Sequence, residues 1–243
     1  MCSNYRPVTR MDRLLTFFGV ERERDEVPAD VFPTGLAPFI RRSGDAPVRV
    51  VEHGAFGLLP SFAKEVSFGK HTYNARTETV ARLPSFRQAW SRGQRCIVPA
   101  EGLFEPRYFG TAERPGRSER WRVGLPGDVP MGIAGIYETW RNPHTGQDMF
   151  SFSMLTVNAD DHPVYSLLQK PGDEKRMVVI LDPGDYDAWL ACTPAQASQL
   201  FRQWAGPLDL APAALPPRAP VASAGKATPP PAPAPPDQGE LPF

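Results

Sequence analysis

Short apolar segments rich in β-branched and aromatic residues recur between residues 95 and 181, and they constrain the fold more than any other feature of the sequence. Such segments are typical of buried strands. Strands are predicted at 95–100, 121–123, 131–137, 150–157 and 177–181, and helices at 8–20, 83–91, 160–169, 185–192 and 194–204. Because strands outnumber helices and do not alternate with them, the pattern favours an α+β fold with a mostly antiparallel sheet over a doubly wound one.

The first of these helices follows the N-terminus directly. Its apolar residues are spaced for one helix face, and they are Leu14, Leu15, Phe17 and Phe18. Thr9 is a candidate for the N-terminal cap, and Gly19 suits the C-terminal end. We expect this helix to hold the N-terminus against the body of the protein.

Composition limits the cellular context and the kinds of partner. Lys and Arg together number 27, as do Asp and Glu, so there is no global attraction to nucleic acid or to an anionic membrane. Three cysteines are too few for a disulfide framework and lack zinc-site spacing, so no metal or cofactor is predicted. The sequence shows no signal peptide and no membrane-spanning run, which predicts a cytoplasmic protein with no membrane partner.

The C-terminal part of the sequence has a different composition. Residues 211–236 consist mainly of Pro and Ala, and such a segment buries too little apolar surface to fold. A folded domain over 1–207 and a disordered tail over 208–243 are therefore predicted. The tail ends in a short peptide that contains Gln238, Leu241 and Phe243.

The N-terminal sequence Met1-Cys2-Ser3 predicts a reactive terminus, because aminopeptidases generally remove Met before a residue as small as cysteine. Cys2 would then have a free α-amine beside its thiol, a pair that condenses with an aldehyde to a five-membered thiazolidine. At pH 7.5 roughly a third of an α-amine is neutral, against about 0.1% of an ordinary lysine. The alternative is that Cys2 is an ordinary residue of a frayed terminus.

Three further polar residues stand in apolar surroundings. Asn74 lies in the segment YNARTET, Glu105 follows a predicted buried strand, and His162 lies in NADDHP. Taken alone, a Glu at the end of a strand and a His before proline are usually solvated loop residues. These three become candidates for a site only in combination with Cys2.

Basic and aromatic residues alternate between residues 62 and 90. The basic residues are Lys64, Lys70, Arg76, Arg82 and Arg87, and the aromatic residues are Phe62, Phe68, Tyr73, Phe86 and Trp90. Cationic side chains for the backbone and rings for the bases are what single-strand binding requires. Phe86 and Trp90 also fit the buried face of a helix, so a core role is an alternative for them.

Five segments in this order resemble the SOS-response-associated peptidase (SRAP) family of abasic-site processing proteins, over roughly residues 2–205. The segments are the initial MC, FGLLPSFAKE, YNARTET, RCIVPAEGLFEP and PGDEKRMVVIL. The resemblance implies a bifurcated sheet that forms a pseudo-barrel with flanking helices. It also implies covalent trapping of abasic sites in single-stranded DNA, since the opened sugar is an aldehyde.

The resemblance further implies roles for individual residues. Cys2 would supply the amine and the thiol, and Asn74 would position the terminus and the opened sugar. Glu105 would act as an acid or base near the amine and in the removal of residue 1. Arg76 matches a phosphate-binding arginine. Asn4 stands where many members have Arg, so it would make a weaker phosphate contact.

One position departs from the family pattern. Members usually have a catalytic His just before the segment resembling PGDEKRM, and this chain has Gln169 at that place, in LLQKPGDEKRM. Glutamine forms hydrogen bonds but transfers no proton at neutral pH. His162 lies seven residues earlier, roughly 10 Å away along a helix. We expect trapping to persist, and imine formation, strand cleavage and crosslink reversal to be slower.

With this resemblance, the sequence predicts a monomeric sensor of abasic sites that crosslinks through Cys2 and has self-processing peptidase and lyase activity. Whether the chain or an aminopeptidase removes Met1 is left open. Two alternatives remain open: a cysteine peptidase that acts on other proteins, and a module that binds single-stranded DNA without a covalent bond. The tail peptide Gln238-x-x-Leu241-x-Phe243 resembles a ligand of the bacterial sliding clamp. One alternative is a terminus like that of single-strand-binding proteins. The other is that the peptide has no function.

Overall fold

The structure is a computed structural model that describes residues 2–21, 28–44 and 48–215. Within these ranges there are eleven strands and four short α-helices. The strands are β1 (Tyr5–Pro7), β2 (Leu36–Arg42), β3 (Arg49–Phe56), β4 (Asn74–Arg76), β5 (Arg95–Tyr108), β6 (Ser118–Gly124), β7 (Met131–Arg141), β8 (Asp148–Asn158), β9 (Arg176–Val178), β10 (Ile180–Leu181) and β11 (Asp209–Pro212). The α-helices are α1 (Met11–Phe18), α2 (Arg87–Ser91), α3 (Tyr186–Ala191) and α4 (Pro194–Ala197). None of these helices is long and apolar enough to cross a membrane.

Five strands close into a barrel. The order is β7-β8-β3-β2-β5, and β5 pairs again with β7 to complete the ring. The β3–β8 pair is parallel and the other four pairs are antiparallel, so the barrel is mixed. The predicted α+β fold with a mostly antiparallel, bifurcated sheet around a pseudo-barrel is confirmed.

Two long strands extend out of the barrel and make the sheet bifurcate. The first half of β5 pairs with β7, and its second half pairs with β1 and β6. The first half of β8 pairs with β7 and β3, and its second half pairs with β4 and β9. The N-terminal strand and β4 are thereby attached to the two strands that leave the barrel.

The N-terminal helix agrees with its prediction in position and in its end. Leu14 and Phe18 are buried, and Gly19 ends the helix in the left-handed region at φ 66°, as a C-terminal glycine does. The N-terminal cap is Arg10 rather than Thr9, and no side chain accepts a hydrogen bond there.

Four predicted elements differ from the structure. Of the helix predicted at 194–204, only α4 and a 3-10 turn at Ser198–Leu200 are formed. The helix predicted at 83–91 is shortened to α2, and the strand predicted at 177–181 is divided into β9 and β10. In place of a helix over 160–169 there is one 3-10 turn, Tyr165–Leu167. Gln169 has a φ of 62°, a left-handed value that stops a right-handed helix.

The folded part continues beyond the predicted domain boundary at 207. Strand β11 pairs with β6 in register Asp209↔Gly124 to Pro212↔Trp121, and Ala213 donates to the carbonyl of Arg120 at 2.9 Å. The free edge of β6 explains this extension, because an unpaired edge offers hydrogen bonds that an extended segment can accept. The disorder predicted for the tail beyond residue 215 lies outside the described residues.

Candidate active site

Strand β1 fixes the N-terminal segment in the interior. Tyr5 pairs with Leu103 on β5 and forms a second bridge to Val31. Cys2, directly before this strand, is 1% exposed, and its Sγ donates to the carbonyl oxygen of Asn4 at 3.3 Å. A frayed terminus is therefore not what the structure shows. Met1 lies outside the described residues.

Asn74 contacts the backbone of Cys2 directly. Its Nδ2 donates to the Cys2 carbonyl oxygen at 2.8 Å. Strand β4 brings Asn74 there because it pairs in parallel with β8, with Asn74 opposite Met154. The half-buried Tyr73 packs its edge on Phe56 at 5.7 Å. The pKa of Tyr73 is raised by burial and then by the charges of Cys2 and Glu105, so its hydroxyl belongs to the same site.

Glu105 is buried beside the cysteine thiol. It lies on β5, one residue after Phe104, whose N–H donates to the Asn4 carbonyl at 2.9 Å. Burial raises the pKa of Glu105, which is 1% exposed. Burial and the nearby charge of Glu105 raise the pKa of the Cys2 thiol to about 12. The thiol is therefore protonated at neutral pH.

Gln169 lies next to Glu105, but its amide is bound to the backbone. Its Nε2 donates to the Arg176 carbonyl at 2.6 Å, and its Oε1 accepts from the Arg176 N–H at 3.1 Å. The Gln169 N–H donates to the Pro106 carbonyl at 2.6 Å. Although burial dominates, a hydrogen bond from Gln169 lowers the pKa of Glu105 somewhat. The side chain thus serves as a structural link between β5 and β9.

His162 is held by backbone groups through both ring nitrogens. Its Nδ1 accepts from the N–H groups of Val164 at 3.1 Å and Tyr165 at 3.2 Å. Its Nε2 lies 3.0 Å from the Trp204 carbonyl oxygen. Because Nδ1 accepts, the proton is on Nε2 and donates to Trp204. In this arrangement neither nitrogen is available for proton transfer at Cys2.

Tyr165 is a member of the site that the sequence did not indicate. The residue is completely buried, and its hydroxyl has no hydrogen-bond partner among the described residues. Burial, and then the charges of Glu105 and Cys2, raise its pKa well above the usual value. A tyrosine in an irregular loop gives no sequence signal, and only the fold brings it to these two groups.

Among the residues predicted to bind DNA, Asn4 is used internally. It is 5% exposed, its Nδ2 donates to the Val31 carbonyl at 3.1 Å, and its Oδ1 accepts from Arg120 at 2.5 Å. Arg120 also pairs with Asp30 at 2.6 Å and stacks on the Phe104 ring. This differs from the expected phosphate contact, because both polar atoms of the Asn4 amide form hydrogen bonds inside the protein. Arg120, 116 positions away in sequence, was not predicted.

Arg76 is the exposed end of a charge network. Its side chain is 47% exposed and pairs with Glu174 at 2.7 Å. Glu174 also binds the buried Arg176 at 2.7 Å, and Arg176 pairs with Glu78 at 2.9 Å. Arg76 therefore presents a guanidinium at the surface, at the end of the strand that begins with Asn74.

The remaining predicted DNA contacts divide into exposed and buried residues. Phe62 is 54% exposed and meets Phe68 edge to face at 5.6 Å, in a groove of about 480 Å³ that Lys64 also lines. Lys70 is exposed as well. Phe86 and Trp90 are 5% and 6% exposed, which confirms the core role considered for them. The tail residues Gln238, Leu241 and Phe243 lie outside the described residues.

No cluster of three or more His, Cys, Asp or Glu side chains suited to a metal ion occurs in the described part of the chain. The groups gathered around Cys2 are instead a carboxyl, an amide donor and two tyrosine hydroxyls. Such a set can orient a small electrophile, exchange protons with it and exclude water.

Comparison with known proteins gives relatives and solved structures. Abasic site processing protein YoqW of Bacillus subtilis is 30% identical over 135 residues, covering 56% of this chain and 54% of that protein. Abasic site processing protein HMCES of Gallus gallus is 26% identical over 172 residues, covering 62% and 48%. The chain thus matches about half the length of these curated relatives.

Solved structures and a family model extend the comparison. A protein from Bordetella bronchiseptica is 35% identical with a TM-score of 0.78, covering 88% of this chain and all of that one. A protein from Bacteroides thetaiotaomicron, 22% identical with a TM-score of 0.70 and covering 87% and 91%, shares the fold. The model for SOS response associated peptidase (SRAP) matches residues 1–214. The chain therefore belongs to the SRAP family.

Proposed function

We propose that this chain, once Cys2 is its first residue, captures the aldehyde form of an abasic site in single-stranded DNA as a covalent thiazolidine. The observation that supports this most strongly is the setting of Cys2. Its carbonyl is held by Asn74 at 2.8 Å, and its thiol lies beside the buried Glu105. The names of YoqW and HMCES, both abasic site processing proteins, support the substrate.

The amine of Cys2 acts before the thiol. A thiol with a pKa of about 12 is almost entirely protonated at neutral pH, whereas an α-amine titrates near about 8. The amine adds to the aldehyde carbon to give a carbinolamine, and water leaves as the imine forms. The sulfur then adds to the imine carbon, and its proton replaces the one that left with water. Overall, amine, thiol and aldehyde give thiazolidine and one water.

Glu105 is the acid–base group of these steps. Burial raises its pKa above the usual value of a carboxyl, which favours a group that both releases and accepts a proton. In the imine, the same group can remove a proton from the carbon next to C1′. Elimination of the 3′ phosphate from the neighbouring carbon then gives the lyase reaction. Glu105 also assists hydrolysis of the bond between residues 1 and 2 during self-processing.

Recognition of the strand depends on local charge. The chain has no net charge, so individual cations such as Arg76 contact the phosphates, and Lys64, Lys70 and Phe62 continue the contact. Tyr73, which is half-buried and directly precedes Asn74, would stack on a base next to the site. A cytoplasmic location, the monomeric state and a sliding-clamp contact of the tail stay predictions. For the last, pull-down with and without residues 238–243 is the test.

A cysteine peptidase is the less favoured activity. Catalytic cysteines act as thiolates with lowered pKa values, in partly exposed positions. Cys2 has the opposite properties, since its pKa is about 12 and it is 1% exposed. Binding without a covalent bond would leave the aminothiol, the carboxyl and the Asn74 contact without purpose.

A denaturing gel tests the proposal. Protein whose first residue is shown by mass spectrometry to be Cys2 is incubated with single-stranded DNA that has one abasic site. A heat-stable band is expected with this DNA and not with intact DNA. Cys2→Ala should abolish the band. Cys2→Ser keeps the amine, so it should give a band only after borohydride reduction of the imine.

Cys192 provides the matched control. It is a half-buried thiol at the end of α3, whose Sγ donates to the Trp189 carbonyl at 3.1 Å. Cys192→Ser should crosslink like the wild type. A band that persists in Cys2→Ala, or that depends on Cys192, would exclude the proposed chemistry. DNA affinity without any covalent band would favour the binding-module alternative.

A further inference from the structure

A cavity of about 550 Å³ lies at one end of the barrel, where β2 ends and β5 begins. Four arginines line it: Arg41 and Arg42 at the end of β2, Arg92 directly after α2, and Arg95 at the start of β5. None of the described residues that line it is Asp or Glu. A concave surface that gathers cations without carboxylates is suited to an anion.

Arg95 is a buried cation without an acidic partner in the described part of the chain. It is 2% exposed, and its Nη1 donates to the Trp90 carbonyl at 3.2 Å, whereas Nε and Nη2 have no hydrogen-bond partner there. The equally buried Arg176 instead pairs with two carboxylates, those of Glu78 and Glu174. Buried charges are normally paired, because an unpaired one loses its hydration without compensation.

Stacking accounts for the faces of the Arg95 guanidinium and not for its edge. Its Cζ lies 3.8 Å from the centroid of the Trp90 ring and 5.4 Å from that of Trp189. These rings fix the plane of the guanidinium, and its N–H bonds lie in that plane. With the same pair of atoms, Nε and Nη2, Arg13 binds both carboxylate oxygens of Glu101 at 2.8 Å. The free edge of Arg95 is therefore shaped for two parallel hydrogen bonds to an oxyanion.

Further unpaired groups lie in the same cavity. Arg41 Nε and Gln94 Oε1 are also buried and without a partner among the described residues. Two carboxylates balance part of the charge, since Arg41 Nη2 binds Glu52 and Arg92 lies 3.8 Å from Glu138.

The thiol that lines the cavity does not balance the remaining charge. It belongs to Cys192, and burial raises its pKa, so it is neutral at neutral pH. The charge of Arg95 thus has no counterion among the described residues.

We propose that this cavity binds a phosphate-bearing anion, held by the free edge of Arg95 and by Arg41 and Arg92. One carboxylate occupies one guanidinium fork, whereas a phosphate dianion has the charge and the oxygens for several arginines at once. The phosphate comes either from a free nucleotide or from a nucleic-acid backbone, because both present the same group. The volume is within the usual range for small ligands.

This site is separate from the one around Cys2. Arg95 and Glu105 are ten residues apart on β5, which is roughly 33 Å along the strand at about 3.3 Å per residue. The proposal therefore does not depend on the crosslinking reaction.

The test is isothermal titration calorimetry with inorganic phosphate at constant ionic strength. The wild type should bind saturably, with one phosphate per chain. Arg95→Met should bind about tenfold more weakly or worse, as expected when charged hydrogen bonds are lost. This variant should fold, because an apolar side chain in place of an unpaired buried charge is often neutral or stabilising, and thermal unfolding checks it.

Two exposed arginines give a second variant and its matched control. Arg92 is 57% exposed and lies 3.8 Å from Glu138, while Arg141 is 73% exposed, lies 3.6 Å from Asp148 and does not line the cavity. Arg92→Ala should weaken phosphate binding about twofold to fivefold, and Arg141→Ala should leave it unchanged.

Competition identifies the source of the phosphate. Tighter binding of dAMP than of inorganic phosphate, without displacement by excess oligothymidylate, would support a free nucleotide. Displacement by the oligonucleotide would support a nucleic-acid backbone.

Absence of saturable phosphate binding by the wild type would overturn the proposal, and so would equal affinities of the wild type and Arg95→Met. Equal losses in Arg92→Ala and Arg141→Ala would indicate an effect of overall charge and would overturn it as well. If Arg95→Met does not fold, Arg92→Ala decides, and an affinity equal to that of the wild type would exclude the site.

Discussion

Removal of the Asn74 side chain tests whether a fixed N-terminus is needed for reaction. Its Nδ2 donates to the Cys2 carbonyl at 2.8 Å, and this is the hydrogen bond that links β4 to the reactive residue. Asn74→Ala leaves a carbonyl without that donor on a residue that is 1% exposed. The terminus should then sample several orientations, of which few place the amine against the aldehyde.

The expected size follows from the energy of the lost contact. A buried polar group that loses its partner costs about 1–3 kcal/mol. If that cost appears in the population of the reactive orientation, at about 1.4 kcal/mol per tenfold change, the rate falls about 5-fold to 150-fold. Asn74→Asp should be at least as slow, because it replaces the donor by an acceptor and adds a carboxylate near Glu105.

The assay is the single-turnover crosslinking rate, measured together with thermal unfolding. Asn142→Ala is the control, since Asn142 accepts hydrogen bonds from His144 and Thr145 in the exposed turn between β7 and β8. It should lose a little stability and no rate. A rate for Asn74→Ala within twofold of the wild type would refute the idea that this contact orients the terminus.

Four further predictions concern Glu105, Arg76, Gly57 and Gln169. Burial raises the pKa of Glu105 above its value in the unfolded chain, about 4.3, so the carboxylate costs stability above that pH. Glu105→Gln should therefore raise the free energy of unfolding at neutral pH. A gain that does not shrink on acidification, measured by denaturant unfolding, would contradict this. Arg76→Ala should weaken single-strand binding and lower the salt slope by about one, and an unchanged slope in a salt titration would remove Arg76 from the interface. Gly57→Ala should lower the free energy of unfolding by about 3 kcal/mol or more, because φ at Gly57 is 128° and a Cβ would overlap the backbone of Gly69. Gly184→Ala is the control, since a Cβ there meets open space. Equal unfolding midpoints for the two variants would contradict this. Gln169→His should speed crosslinking, strand cleavage and crosslink reversal, and unchanged rates would mean that position 169 does not limit proton transfer.

The fold class could be predicted from sequence because strand patterns repeat without intervening helices. Strands β5, β7 and β8 each have at least six consecutive buried residues, so their apolar runs are strong local signals. The failures lie where tertiary contacts decide the backbone. Residues 160–169 have helical spacing, but His162 caps a single turn and Gln169 turns left-handed to reach the Pro106 carbonyl.

The site could be predicted in part, one residue at a time. Cys2, Asn74 and Glu105 each follow from local chemistry or from the family resemblance. What joins them is pairing between distant segments: β1 on the second half of β5, and β4 in parallel on β8. No local pattern encodes a parallel pair of three residues. Tyr165 and Arg120 were missed for the same reason, since their partners lie far away in sequence.

The structure shows what glutamine does at position 169, where the resemblance to the family implies a histidine. Its amide offers one donor and one acceptor side by side, and it pairs with the Arg176 C=O and N–H as a neighbouring strand would. A neutral imidazole also has one donor and one acceptor, but they diverge on opposite sides of a rigid ring, so a His would satisfy only one of the two Arg176 groups. Glutamine therefore favours stability where histidine favours proton transfer, and Gln169→His should lose about 1 kcal/mol of unfolding free energy while it gains rate.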